Sequence, residues 1–275
     1  RQWKEVFSRI ETANCLKNSL IYGAVTATVG IVIACTMSYL LQRTRVKGRK
    51  IPDFMITLGS GTPSVVIALG HIMTMKGNFG VNIYNTAYIM IVAYLIKYLM
   101  MGMRTVVSAM SQIHVSLEEC SQISGASWPK TMFKITGPLI FPSIAAGWFL
   151  IFIPSFYELS MTTLLYSNST KTIGFQLYEY WTFTSQPQSC AMAFGILMIV
   201  VVLNFLLNRL TKGEFSVTEM SCTEGVSQEQ LLEVAAYCES QSTHPLAKSI
   251  LKDYGKPVDG SRLAGIEEIS GNGIR

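Results

Sequence analysis

The chain has 275 residues, of which 49% are hydrophobic and only 14% are charged, and its formal net charge is +5. That composition excludes an ordinary soluble globule and reads as a membrane protein with a soluble part. The six cysteines, Cys15, Cys35, Cys120, Cys190, Cys222 and Cys238, stand singly without CxxC or CxxxH spacing, so the sequence points to neither a zinc site nor a disulfide framework.

Charge divides the chain. Residues 1–210 carry 16 Lys/Arg against 7 Asp/Glu, whereas residues 211–275 carry 6 against 10. The sign change sets a domain boundary near 210. The basic excess follows membrane topology and gives no reason to expect nucleic acid as a partner.

Residues 1–14 place Trp3, Val6, Phe7 and Ile10 at helical spacing, the pattern of a short amphipathic piece lying on the bilayer. The first span is expected over 18–41, since about 20 apolar residues cross the hydrocarbon. It ends in Arg43, Arg45, Lys47, Arg49 and Lys50, which places that loop in the cytoplasm by the positive-inside rule. The second span is expected over 54–75, where Gly59, Gly61 and Pro63 imply close packing or a kink. The third is expected over 87–103, the fourth over 139–157 and the fifth over 191–207. The segment 160–189 between the last two is polar and aromatic and is expected outside. Eight bases fall on the cytoplasmic loops and two, Lys76 and Lys171, outside. Five spans with an outer N-terminus satisfy this count, although Arg1, Lys4, Arg9 and Lys17 oppose it.

Between the third and fourth spans, residues 112–138 form a polar and basic interruption. A first helical pattern begins at Ser116 and carries Glu118 and Glu119 in its first turn, where carboxylates complement the helix dipole. Gly125 ends it. A second pattern begins near Ser127 and sets Trp128, Met132 and Ile135 on one face, beside Lys130 and Lys134. Helix, glycine turn and amphipathic helix make a ledge at the membrane surface.

The spacing Glu119, Gly125, Ile135, Pro138 resembles the EAA loop of ABC importer permeases, E-A-A-x3-G-x9-I-x-L-P. Cys120-Ser121 replaces the alanine pair and Gly137 the leucine. The resemblance covers about 18–209 and implies an all-α transmembrane fold, the five-helix core of a type I ABC importer permease. It further implies that the loop is a coupling helix docking into a cleft of a separate ATP-hydrolysing subunit, with Glu118, Glu119, Gly125, Ala126, Ile135 and Pro138 as coupling residues. The phrases at 62–70 and 157–165 look most like permeases for ferric iron, thiamine, polyamines or phosphonates. The partners implied are ABC ATPase subunits, a second permease subunit or half, an extracytoplasmic solute-binding protein and membrane lipid. The location implied is the plasma (inner) membrane, multi-pass, with a cytoplasmic tail. The permease is expected to hold no catalytic residue, metal or cofactor. Gly125 to Thr131 is not a phosphate loop, because Pro129 stands where its second glycine belongs.

A charge at mid-bilayer costs at least about 2.5 kcal/mol, so it faces the bundle, a partner or water. Lys97 and Glu158 are the notable ionisable residues within or at the ends of spans, and they are candidates for lining the translocation path, Glu158 paired with Lys97. The plainer reading makes Glu158 an interfacial acid and Lys97 a snorkelling base. His71 reads as a packed histidine, and Met100, Met101 and Met103 as packing side chains.

The tail, 210–275, resembles the nucleotide-binding domain of heavy-metal P-type ATPases: Glu239 lies five residues before His244-Pro245, and Gly271-x-Gly273 follows. The resemblance implies a small, truncated α/β piece in which Glu239, His244, Pro245, Gly271 and Gly273 surround ATP, the glycines admitting the ligand to the backbone. The family's D-K-T-G-T, with its phosphorylated aspartate, is absent, and residues 204–209 end a span in its place. The tail is therefore expected to be a fragment joined to a permease, not an enzyme. Two competing readings are a cation-transporting P-type ATPase fragment and a membrane anchor presenting a nucleotide-binding module.

Overall fold

The apolar runs form long helices because a chain in hydrocarbon has to satisfy its backbone hydrogen bonds internally. The computed structural model describes residues 2–77, 80–211, 227–238, 240, 245–258, 268–269 and 273–274. Two compact units divide the chain, Arg1–Lys212 and Gly213–Arg275.

In the first unit, α1 (Gln2–Phe7) is followed by α2 (Ile10–Arg43), α3 (Lys50–Gly61), α4 (Ser64–Met75) and α5 (Ala87–Gln112). Next come α6 (Ser116–Ile123), α7 (Trp128–Thr131), a π turn over Met132–Thr136 and α8 (Gly137–Phe156). Then α9 (Thr162–Leu165), α10 (Ile173–Glu179) and a second π turn, Tyr180–Thr184, lead into α11 (Gln186–Thr211). Among the described residues, four helices are long and apolar enough to cross a bilayer: Ile10–Arg43, Ala87–Gln112, Trp128–Phe156 and Gln186–Arg209. The pair α3–α4 makes a fifth if taken as one broken span.

The structure adds to several of the sequence boundaries, and the kink expected in the second span is present. The N-terminal piece does not simply lie on the bilayer: α2 already begins at Ile10, Val6 is fully buried, and the Phe7 ring sits where a Cβ on Gly195 of α11 would be, 2.4 Å away. The second span is bent by 110° between Gly61 and Ser64. Pro63 breaks the backbone ladder there, while Gly59 lets α3 approach α5 so closely that a Cβ would meet the Ile96 carbonyl at 2.9 Å. The helix that carries the fourth span already starts at Trp128, since the second ledge helix runs on into it through the π turn. The segment 160–189, though polar and aromatic, is partly packed: Thr162, Ile173, Phe175, Gln176 and Tyr180 are buried. Cys15 Sγ meets Gln176 Oε1 at 3.2 Å, and the Ile173 amide donates to Ser19 Oγ at 2.9 Å, so this segment packs on α2.

The core has two parts. One surrounds Tyr22, Tyr94, Phe152 and Phe156; the other, towards the ledge, gathers Ile31, Ala34, Leu99, Met103, Val106 and Ile140. Met103 is thus a core residue, and His71 is buried with Nδ1 2.7 Å from the Ile67 carbonyl.

In the second unit, α12 (Gln228–Cys238) and α13 (Pro245–Tyr254) meet through Tyr237 and Tyr254, whose rings stand edge to face at 6.5 Å. Two short antiparallel strands, β1 (Glu268–Ile269) and β2 (Gly273–Ile274), also belong to it.

Candidate functional site: the ledge between the third and fourth spans

The ledge is held by four local devices. At the end of α6, Gly125 has φ +83°, its amide donates to the Gln122 carbonyl at 2.9 Å, and the Ala126 amide donates to Ser121 at 3.1 Å. That pair of bonds satisfies the last helical carbonyls and turns the chain through a left-handed residue that favours glycine. Ser121 Oγ and Thr131 Oγ1, both buried, lie 2.9 Å apart and tie α6 to α7. Trp128 Nε1 donates to the Tyr39 hydroxyl at 2.7 Å, linking α7 to α2. The fourth device is an ion pair: Arg43 Nε meets Glu118 Oε1 at 2.8 Å, with the two side chains only 6% and 7% exposed. Arg43 Nη2 also donates to the Ile113 carbonyl at 2.8 Å, and Thr136 Oγ1 to Glu118 Oε1 at 3.4 Å. The ends of α2 and α5, the helix α6 and the π turn therefore meet at one charged point.

This arrangement sorts the residues that the sequence offers as coupling candidates. Glu119 and Pro138 are exposed, Ala126 and Ile135 half-buried, and Glu118 is turned inward to Arg43. Ser116 does not cap α6: Val115 holds that position without a side-chain bond, and Ser116 Oγ contacts His114 Nδ1 at 2.7 Å instead. The motif's departures have a local account. Cys120 is exposed and Ser121 makes the bond to Thr131. A Cβ on Gly137 would stand 2.7 Å from the Met132 carbonyl, so the residue that replaces leucine is the one that fits the π turn. Ile123 and Phe133, 86% and 82% exposed, leave an apolar surface on the ledge.

Lys97 and Glu158 do not share a hydrogen bond or ion pair. Lys97 Nζ donates to the carbonyls of Ser60 and Thr62, at 2.9 and 2.7 Å, which closes the C-terminus of α3 at its bend. The buried Glu158 accepts from the Tyr98 hydroxyl and, at 3.0 Å, from the Met161 amide. One residue fastens the break in the second span and the other fastens α5 to the turn before α9. On the far side of the bundle from the ledge, a polar cavity of about 570 Å³ is lined by Glu11, Lys17, Asn18 and Lys171. Lys171 Nζ donates to both Glu179 carboxylate oxygens, at 2.9 and 3.0 Å, and these bonds raise the Lys171 amine above its ordinary pKa.

In the tail, Glu239, His244 and Gly271 lie outside the described residues, Pro245 opens α13 and Gly273 opens β2.

A bundle of membrane-length helices carrying a helix, glycine and helix ledge between two spans is the class of an integral transport component. Residues 20–212 match the family described as binding-protein-dependent transport system inner membrane component, and the chain belongs to that family. It is 29% identical over 192 residues to the Fe(3+)-transport system permease protein FbpB 2 of Haemophilus influenzae, covering 70% of this chain and 37% of that protein. It is also 51% identical over 65 residues to the cadmium, zinc and cobalt-transporting ATPase of Bacillus subtilis, covering 24% of this chain and 9% of that protein. The chain thus spans well under half of these relatives. A chain of the methionine ABC transporter MetNI in inward-facing conformations superposes with a TM-score of 0.60 at 17% identity, covering 73% of this chain and 94% of that one.

Proposed function

We propose that residues 1–209 are the membrane-spanning subunit of an ABC importer, moving a small solute by alternating access driven by separate ATPase subunits. The carrying observation is the ledge itself: a surface projection whose exposed apolar groups include Leu117 and Ile123 on α6 and Phe133 in the π turn, anchored to three other elements through Arg43 and Glu118. A push on such a ledge moves helix ends together instead of bending a loop. The partners in this reading are the ATPase subunits, a second permease subunit or half, and a solute-binding protein outside. Ferric iron is the favoured solute, supported by the likeness to the Haemophilus permease, with polyamine, thiamine and phosphonate as the alternatives.

Gly125→Asp tests the docking step. A Cβ there meets nothing within 4 Å, so the substitution costs only about 1–2 kcal/mol of left-handed backbone while placing a charge on the ledge surface. The expected result is an intact chain, by gel filtration in detergent, that no longer copurifies with its ATPase and no longer drives uptake. Normal copurification would remove the docking reading.

The likeness to the Bacillus ATPase favours a second reading for the tail, a nucleotide-binding fragment in which Glu239, His244, Pro245, Gly271 and Gly273 hold ATP. Azido-ATP should label the full chain within 239–273 in the absence of any ATPase subunit, on a polypeptide that also yields a peptide spanning 209–215. Labelling confined to the spans would end this reading.

A further inference from the structure

Helix α3 is fastened differently from α2, α5 and α8. Those three bury residues along their lengths, whereas no residue of α3 is buried and Ile56 reaches only the edge of the core towards the ledge. It runs antiparallel to α5 and is tied to it by polar groups: Arg104 Nη2 meets Asp53 Oδ1 at 2.9 Å and Thr57 Oγ1 at 3.0 Å, and Lys97 Nζ meets the carbonyls of Ser60 and Thr62. The Arg104 pair is 43% and 24% exposed and contributes little, so the half-buried ammonium of Lys97 makes the stronger bonds. The carbonyls it answers have a second possible partner. In an unbroken α-helix the Ser60 carbonyl takes the Ser64 amide and the Thr62 carbonyl takes the Val66 amide. The 110° bend parts these groups: the Val66 amide donates to the Pro63 carbonyl at 3.0 Å, and Lys97 stands in at both vacated carbonyls. Pro63 does not forbid the unbroken form, since its missing amide hydrogen removes only the bond to the Gly59 carbonyl and leaves a kinked, continuous helix.

We propose that the second span is a two-state element and that Lys97 is its catch. In the bent state Lys97 holds the carbonyls of Ser60 and Thr62, and α3 alone reaches about 18 Å, too short to cross the hydrocarbon. In the other state the amides of Ser64 and Val66 take the same carbonyls, Lys97 is released, and the continuous run 50–75 reaches about 39 Å, enough to cross it. Each state satisfies the two carbonyls, which is what makes both habitable in a membrane. Lys97 is a positioning residue here and touches no solute. The switch is joined to the ledge by a short path. Arg43 of the ledge ion pair ends α2, the turn after it is closed by the Arg49 guanidinium on the Thr44 carbonyl, and α3 begins at Lys50. A displaced ledge therefore pulls on the free end of α3. The inference rests on the importer reading for what drives the switch, while the two bonding patterns stand without it.

The test is a pulsed-EPR distance across the bend in the full-length chain in nanodiscs. Ketone-bearing amino acids at the exposed positions Ile51 and Met73 carry the spin labels, so that the native cysteines stay in place. A continuous helix separates the two positions by about 33 Å, and the bent one by a little over half of that. The wild type is expected at the short distance. Lys97→Met should shift the balance towards the long distance roughly tenfold or more, the loss of a charged hydrogen bond, and Pro63→Ala should shift it the same way with the lysine present. Lys97→Ala should return to the short distance on addition of propylammonium, which replaces the atoms removed, and not on addition of tetramethylammonium, which has no hydrogen to donate. In the complex with the ATPase subunits, ATP should move the wild type towards the long distance. A short distance in both Lys97→Met and Pro63→Ala would overturn the two-state reading, and equal rescue by tetramethylammonium would overturn the hydrogen-bonded catch. An unchanged distance in a complex that hydrolyses ATP would overturn the link to the ledge, whereas a complex that never forms tells against the importer reading and leaves the distances in the chain alone to decide the catch.

Discussion

Gly147→Leu is expected to prevent stable assembly of the helix bundle. The backbones of α5 and α8 touch at this point: a Cβ on Gly147 would stand 3.1 Å from the Gly102 carbonyl and 2.9 Å from Ile31 Cδ1. The reciprocal position is as tight, since a Cβ on Gly102 would meet Ile151 Cδ1 at 2.6 Å and the Gly147 carbonyl at 3.1 Å. Side chains can rotate away from an intruder, but a carbonyl in a helix cannot, so leucine has to part the two helices. Overpacking of this kind costs about 1–3 kcal/mol where neighbours can yield, and here the loss should exceed that range. Close backbone approach through small residues is the chief source of helix association in lipid, so little else compensates. Gel filtration and thermal melting in detergent should show aggregated or much less stable protein, with Gly147→Ala intermediate. A leucine variant that melts with the wild type would contradict the packing described.

Arg43→Gln carries the second large effect. It leaves the buried Glu118 carboxyl without its guanidinium partner and, among the described residues, with Thr136 as its one hydrogen-bonding side chain, and removing one partner of a buried pair costs about 3–5 kcal/mol. Glu118→Gln should be milder, because Arg43 keeps its bond to the Ile113 carbonyl. Replacing both residues by methionine should recover much of the lost stability, as apolar groups of similar volume carry no stranded charge. Melting of the wild type, the two glutamine variants and the double variant Arg43→Gln with Glu118→Gln closes a cycle of matched substitutions and gives the coupling. If Arg43→Gln alone leaves the melting temperature unchanged, the pair contributes nothing to holding the ledge.

The parts of this fold that depend on local pattern were legible before the structure. Four apolar runs became membrane-length helices, and Gly125 took the left-handed turn that its place after an acidic first turn implied. The glycines and proline at 59–63 did mark a change in the second span, with Gly59 serving close packing and Pro63 the bend. Long-range pairing was not legible. Arg43 read only as one of five topology charges, because its partner lies 75 residues away. Lys97 and Glu158 were paired on charge alone; backbone carbonyls at a helix end and a tyrosine hydroxyl answered them instead. The π turn at 132–136 was not legible either, because the close approach of Gly137 to the Met132 carbonyl leaves no mark in a local pattern.

The central claim is that the ledge is where an ATP-hydrolysing partner pushes. A photoreactive amino acid at Ile123, the most exposed apolar side chain on α6, tests it in membranes of the native host. Irradiation followed by mass spectrometry should recover a cross-linked ATPase subunit carrying a phosphate-loop motif, and Gly125→Asp should remove the cross-link. Cross-links to lipid alone, with the chain intact and correctly inserted, would contradict the claim.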